Sequence, residues 1–80
     1  MELQPSGSLR LQQLERWLAS GWRIEEPVLH RSAYHGRAGR VCAFEIVVCD
    51  DGKRQVITLW DEPEVQQFLM QQQLMVIDIA

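Results

Sequence analysis

RVCAFEIVVCDDGKRQVITLW, residues 40–60, decides the fold of this chain. It consists of two runs of alternating, β-favouring residues that are joined by the pair Asp51-Gly52. Both residues tolerate the positive φ angles of a two-residue type I′ turn, and an Asp-Gly pair between such runs is the strongest short-range signal for a β-hairpin. We therefore predict a hairpin in which Asp50 lies opposite Lys53.

This register divides the hairpin into two faces, because successive side chains of a strand point to opposite sides. We expect the uniformly large and apolar face to meet the core; it carries Cys42, Phe44, Ile46, Val48, Ile57 and Leu59. The second face mixes charged residues with Val47, Val56 and Trp60. Cross-strand pairing of β-branched residues explains Val47 opposite Val56, and a partner that covers this face is the alternative explanation.

The composition is that of an ordinary globular chain. With 80 residues, 46% hydrophobic and 24% charged, it predicts one small domain. The net charge of −3 argues against binding a polyanion through bulk charge. No apolar run reaches the length of about 20 residues that a membrane span needs, and the first residues lack the pattern of a signal peptide. We therefore expect a cytoplasmic protein that does not contact the membrane.

The two cysteines, Cys42 and Cys49, lie in the same predicted strand. Seven residues of strand separate their Cα atoms by about 23 Å, whereas a disulfide needs Cα atoms within about 7 Å. We expect both thiols to be free, with Cys42 in the core and Cys49 near the tip of the hairpin.

Before the hairpin, the pattern predicts a flexible leader over residues 1–7 and a single domain over residues 8–80. Leucines at helical spacing predict a first helix over residues 9–19, with Ser8 as its N-cap and Gly21 as its C-cap. A strand follows. Because proline cannot donate to a ladder, Pro27 marks an edge, a bulge or the start of that strand, and we expect its firm part over residues 28–34.

After the hairpin, Asp61 is predicted to be the N-cap of a second helix, with Glu64 completing a capping box. Trp60 and Val65 would then form a hydrophobic staple across the start of this helix. The last seven residues, LMVIDIA, predict a final strand. Their almost continuous apolarity suggests an interior strand or one that is covered on both faces.

These elements give the order α-β-β-β-α-β. The expected fold class is α+β, with a mainly antiparallel four-stranded sheet and two helices packed on one face. A final strand that joins the sheet after a helical crossover would run in the same direction as the third strand, which makes the sheet mixed.

The most distinctive polar stretch is HRSAYHGRAGR, residues 30–40. It contains no acid, and its candidate ligands for an anion or a nucleic acid are Arg31, Tyr34, His35, Arg37 and Arg40. Arginines bind phosphates through paired hydrogen bonds, and an aromatic ring can stack on a base. The alternative is a solvated loop whose arginines pair with Glu25, Glu26 or Glu45.

No catalytic or cofactor-binding motif is present in the sequence. His30, His35 and Cys42 lack the spacing of a metal site, so no metal or other cofactor is expected. The order of elements up to the second helix resembles that of double-stranded-RNA-binding domains. Their second helix starts with basic residues, whereas this one starts with Asp61-Glu62-Pro63-Glu64, and the family is not assigned.

The sequence thus favours a small, non-catalytic protein-interaction module. We expect it to form a homodimer, or to dock another protein, through the free sheet face of Val47, Val56 and Trp60, because contiguous exposed apolar residues mark interaction sites. Binding of an anion or a nucleic acid through residues 30–40 is the alternative function.

Overall fold

The computed structural model describes residues 6–34 and 40–79, with side chains over residues 9–32 and 41–79. The elements in chain order are α1 (Ser6–Ala19), β1 (Arg23–Tyr34), β2 (Arg40–Asp50), β3 (Lys53–Trp60), α2 (Pro63–Gln71) and β4 (Val76–Ile79). This order confirms the predicted α-β-β-β-α-β arrangement. Within the described part of the chain, no helix is long and apolar enough to cross a membrane.

The β2–β3 hairpin has the predicted turn and register. Asp51 and Gly52 adopt φ angles of 48° and 86°, the positive values that a type I′ turn requires. Asp50 lies opposite Lys53, and the pairing continues to Ala43 opposite Trp60 without a shift. The alternating pattern of the sequence therefore assigns the faces of both strands correctly.

All four strands form one sheet in the order β3-β2-β1-β4. Strand β2 pairs antiparallel with β1 and with β3, whereas β4 pairs parallel with β1. Both helices contribute to one core, which comprises Leu11, Leu14, Val28, Phe44, Ile46, Val48, Ile57, Leu59, Val65, Phe68 and Leu69. The strand residues in this set share one side of the sheet, which we call the helix face, and the other side is the free face. The predicted fold class is confirmed.

Two residues of β2 depart from the predicted division between core and surface. Cys42 points to the helix face but is only partly buried, because it lies beyond the apolar core. Ala43 points to the free face, yet it is only 5% exposed. A small side chain between larger neighbours loses most of its contact with solvent even without a covering layer.

Helix α1 begins earlier than predicted and ends as predicted. Ser8 lies inside the helix and is not its N-cap, and residues 6 and 7 of the predicted leader are helical; residues 1–5 lie outside the described chain. At the other end Gly21 has a φ of 103°. Trp22 donates its backbone N–H to the Trp17 carbonyl at 3.0 Å, and the two indole rings stack at 5.8 Å. These contacts form a Schellman motif with its apolar contact.

Strand β1 extends to both sides of Pro27. Its register against β2 shifts between Glu25 and Leu29, so the proline occupies an irregularity of the ladder, one of the three positions that its missing donor allows. Residues 35–39, between β1 and β2, lie outside the described chain.

Helix α2 begins one residue later than predicted. Glu62 is the N-cap, with Pro63 directly after it, and the Glu62 side chain makes no capping hydrogen bond. The predicted capping box is therefore wrong, and Trp60 and Val65 do not occupy the N′ and N4 positions of a staple. Pro63 decides the boundary, because its fixed φ and missing N–H suit the first position of a helix. The Asp61 side chain does not cap the helix, and it contacts His30 of β1 instead.

Strand β4 is an edge strand, so the prediction that it is interior or covered on both faces is wrong. It pairs only with β1 among the described strands. Met75, Val76 and Ile77 are 60%, 40% and 43% exposed. A run of apolar residues indicates that a strand avoids water, but it does not distinguish burial within the chain from burial against a second molecule.

Candidate functional site

The free face of the sheet has the predicted composition, but contacts within the chain already pair charges and partly bury apolar side chains on it. Val56 is 63% exposed, whereas Val47 and Trp60 are partly buried. Two cross-strand ion pairs lie on this face: Arg31 with Glu45 at 3.3 Å and Arg54 with Glu25 at 2.9 Å. These pairs place four compensating charges on the same face as the neighbouring Val47 and Val56.

The open edge of β4 is a second candidate surface. Val28 donates its backbone N–H to the Met75 carbonyl at 2.8 Å, so the backbone groups of Met75 point towards β1. Because these groups alternate in direction along a strand, those of Val76 and Asp78 point to the open edge.

Apolar side chains accompany this edge on the helix face. Met70 of α2 is 77% exposed. A shallow cleft of about 210 Å³ lies between α2 and β4, lined by Phe44, Gln66, Leu69, Met70, Leu74 and Val76. An additional strand that pairs with β4 would therefore find backbone partners along the edge and an apolar recess beside it.

A third site forms around His30, where β1 leaves the apolar core. The Nε2 atom of His30 lies 2.8 Å from Oδ2 of Asp61, and its Nδ1 atom lies 2.8 Å from Oδ1 of Asp78. Gln66 donates a hydrogen bond from its side-chain amide to the other oxygen of Asp61. The histidine thus connects the segment before α2 with strand β4, and its ring packs on Phe44 with 4.7 Å between the centroids.

With both carboxylates ionised, this geometry favours the protonated imidazole of His30. An ionised carboxylate only accepts hydrogen bonds, so both ring nitrogens of His30 must donate. The hydrogen bond to Asp61 is the largest influence on the pKa of His30; burial opposes it and the bond to Asp78 adds to it, so that this pKa is raised. Burial alone would raise the pKa of Asp61, but the hydrogen bonds from Gln66 and His30 outweigh it and lower this pKa.

Cys42 completes the cluster from the neighbouring strand. One ligand atom from each of His30, Cys42 and Asp61 lies within 4.8 Å of the other two. Cys42 and Asp61 also line an open cleft of about 430 Å³, together with Val41, Trp60 and Glu62. Oε1 of Glu62 is buried and has no hydrogen-bond partner among the described residues.

The sequence analysis considered His30 and Cys42 only with His35 and expected no metal there, and it did not place Asp61 or Asp78 beside them. Asp61 was predicted to be a helix N-cap, which already explains an acidic residue at that position without a second role. The two-residue spacing of side chains along a strand is a signal that could have placed Asp61 near Cys42. Continued beyond β3, this spacing puts Asp61 on the same face as Ile57 and Leu59, which is also the face of Phe44 and Cys42.

The arginine-rich stretch is only partly within the described chain. Arg31 lies on the free face in its ion pair with Glu45, as the solvated-loop interpretation expects. Tyr34 and Arg40 pair at the end of the β1–β2 ladder, and their side chains lie outside the described part. His35 and Arg37 lie outside the described residues altogether, so nucleic-acid binding by this stretch stays a prediction.

No protein-family model, no curated protein and no solved structure matches this chain.

Proposed function

We propose that this chain is a non-catalytic protein-interaction module that associates with a second copy of itself along the open edge of β4. The observation that carries the proposal is the combination of an unpaired strand edge with exposed apolar side chains at Val76 and Ile77. An exposed apolar edge strand is a template for pairing with another chain.

The contrast between the two edges of the sheet supports this choice. The outer strand β3 begins with Lys53, Arg54 and Gln55, which are exposed and polar, and such residues discourage pairing between molecules. Strand β4 has no lysine, arginine or proline. Its one charged side chain, Asp78, is engaged with His30.

A second copy is the partner that the register favours. The backbone groups that point to the open edge belong to Val76 and Asp78. When two β4 strands pair antiparallel about Ile77, Val76 of each copy lies opposite Asp78 of the other. Four backbone hydrogen bonds would form, and the two Ile77 side chains would meet on the two-fold axis of the free face. A register centred on Asp78 would place like charges opposite each other, which is unfavourable.

A dimer that buries the free face through Val47, Val56 and Trp60 is the arrangement expected from the sequence. The two ion pairs on this face make it the weaker candidate, because burying them would remove four charged groups from water. Both cysteines of the chain are free, which suits the reducing cytoplasm in which we propose that the dimer works.

Matched lysine substitutions at the two edges test the proposal. Ile77 and Val56 are both exposed on the free face, but they lie on opposite edge strands. The unmodified chain should have twice the monomer mass of 9.3 kDa in sedimentation equilibrium at high concentration. Ile77→Lys should give the monomer because it brings like charges to the two-fold axis, and Val56→Lys should leave the dimer intact.

The opposite pattern, a monomer only for Val56→Lys, would favour the face-to-face dimer and overturn the edge contact. A monomeric unmodified chain would overturn self-association. Circular dichroism of both variants should match that of the unmodified chain, because neither side chain belongs to the core.

A further inference from the structure

We propose that His30, Cys42 and Asp61 form a binding site for a zinc-class divalent cation. The three residues lie in β1, in β2 and directly after β3, and the fold brings one ligand atom of each within 4.8 Å of the others. This site lies on the helix face, and its proposal does not rest on the proposed association along β4.

The donor set matches zinc chemistry. Zinc binds imidazole nitrogen, thiolate sulfur and carboxylate oxygen, and sites with three protein ligands keep a fourth position open. Hard cations such as magnesium and calcium take oxygen ligands only, so a nitrogen and a sulfur donor argue against them.

The surrounding hydrogen bonds orient two of the three ligands. Asp78 holds Nδ1 of His30, which leaves Nε2 as the nitrogen that faces Asp61. A carboxylate behind the histidine is one of the usual partners of a metal-bound imidazole. Gln66 holds one oxygen of Asp61, so the other oxygen is the one that turns towards the histidine.

For the His30–Asp61 pair, metal binding requires only a small rearrangement. Nε2 of His30 and Oδ2 of Asp61 are 2.8 Å apart. Two ligand atoms of a tetrahedral zinc ion with bond lengths near 2.1 Å are separated by about 3.4 Å. The ion would take the place of the proton between them, and the separation would grow by about 0.6 Å.

The cleft supplies access and an open coordination position. Cys42 and Asp61 line it, so a cation held between them would face solvent. Glu62 lines the same cleft, and its buried Oε1 has no hydrogen-bond partner among the described residues. A nearby cation would compensate the charge of this carboxylate.

Cobalt(II) and zinc titrations of the full chain test the site. The protein is treated with a chelator and kept reduced, and zinc is then titrated by calorimetry; one ion should bind per chain. Cobalt should give visible absorption of four-coordinate intensity together with a thiolate-to-cobalt charge-transfer band in the near ultraviolet.

The two cysteines provide a matched control, because Cys49 lies at the other end of β2 on the free face, opposite Arg54. Cys42→Ser should abolish the charge-transfer band, and Cys49→Ser should leave it unchanged. Asp78→Asn should weaken zinc binding by about 10–100-fold while preserving the band, as loss of a partner behind a metal-bound histidine does.

Three outcomes would overturn the site: no saturable binding, binding that survives Cys42→Ser, or a band that disappears in Cys49→Ser. The first would leave His30 as a hydrogen-bonded link between β4 and the segment before α2.

Discussion

At the scale of single residues, His30 joins segments that are far apart in the chain. Its two carboxylate partners lie 31 and 48 residues away, and both bonds measure 2.8 Å. The side chains of His30 and Asp61 are 24% and 22% exposed, so water screens their bond only in part. Asp78 is 87% exposed, so water screens its bond to His30 more strongly. His30 therefore couples the position of β4 to that of the segment that starts α2.

The coupling between His30 and Asp61 should depend on pH in the metal-free chain. Because the pKa of His30 is raised by folding, its contribution to stability is fully present below its unfolded value of about 6.5 and is lost as the pH rises through the folded value. The pKa of Asp61 is lowered, so its contribution is lost only in acid, as the pH falls through that lowered value.

A double-mutant cycle of His30→Ala and Asp61→Ala, measured by urea unfolding with chelator present, checks this expectation. The coupling energy should be about 0.5–3 kcal/mol near pH 6, and it should decrease towards pH 9. If Asp61 acted as a helix cap, Asp61→Ala would cost the same with and without His30, at both pH values.

At the scale of elements, β4 determines which surface of the sheet remains open. The strand is four residues long, and among the described strands it pairs with β1 alone. Its inward backbone groups hold it to β1, and its outward groups at Val76 and Asp78 are free for a second strand.

Proline substitutions separate these two roles of the β4 backbone. Val76→Pro removes an outward N–H, so the chain should stay folded and become monomeric, because edge strands tolerate proline where the N–H faces solvent. Ile77→Pro removes an inward N–H and should detach β4 from β1. Amide exchange at Val28 and His30, whose backbone groups face β4, together with the mass in solution, distinguishes the variants. A dimeric Val76→Pro would contradict pairing through this edge.

Helix boundaries show what the sequence predicts at this scale and what it does not. Gly21 ends α1 as predicted, because only a residue that tolerates positive φ suits this position. The start of α2 was misplaced by one residue, since Asp61 and Glu62 are both plausible before Pro63. Pro63 favours Glu62 as the N-cap, and His30 of a distant strand binds the Asp61 side chain.

At the scale of the whole molecule, local patterns predict the elements and long-range pairing decides the surfaces. The Asp51-Gly52 turn alone fixes eight cross-strand pairs of the hairpin, from Asp50 opposite Lys53 to Ala43 opposite Trp60. The position of β4 beside β1 has no local signal, because its apolar residues suit an interior strand as well as an edge. The His30 cluster was missed for the same reason, since its members meet only after β4 and the end of β3 have taken their places.

The two proposed sites lie in different parts of the fold and can be tested separately. The edge of β4 uses backbone groups and the side chain of Ile77 on the free face. The cation site uses His30, Cys42 and Asp61 on the helix face. Asp78 is the residue that connects them: its side chain holds His30, and its backbone faces the open edge.

Intermolecular nuclear Overhauser effects in a mixture of carbon-13-labelled and unlabelled protein test the central claim most directly. The edge-paired dimer predicts contacts between the Ile77 methyl groups of the two copies, and between the amide of Val76 and the backbone of Asp78 in the second copy. Val56 and Trp60 should show no intermolecular contact. Contacts at Val56 without any at Ile77, or no intermolecular contact at high protein concentration, would contradict the account.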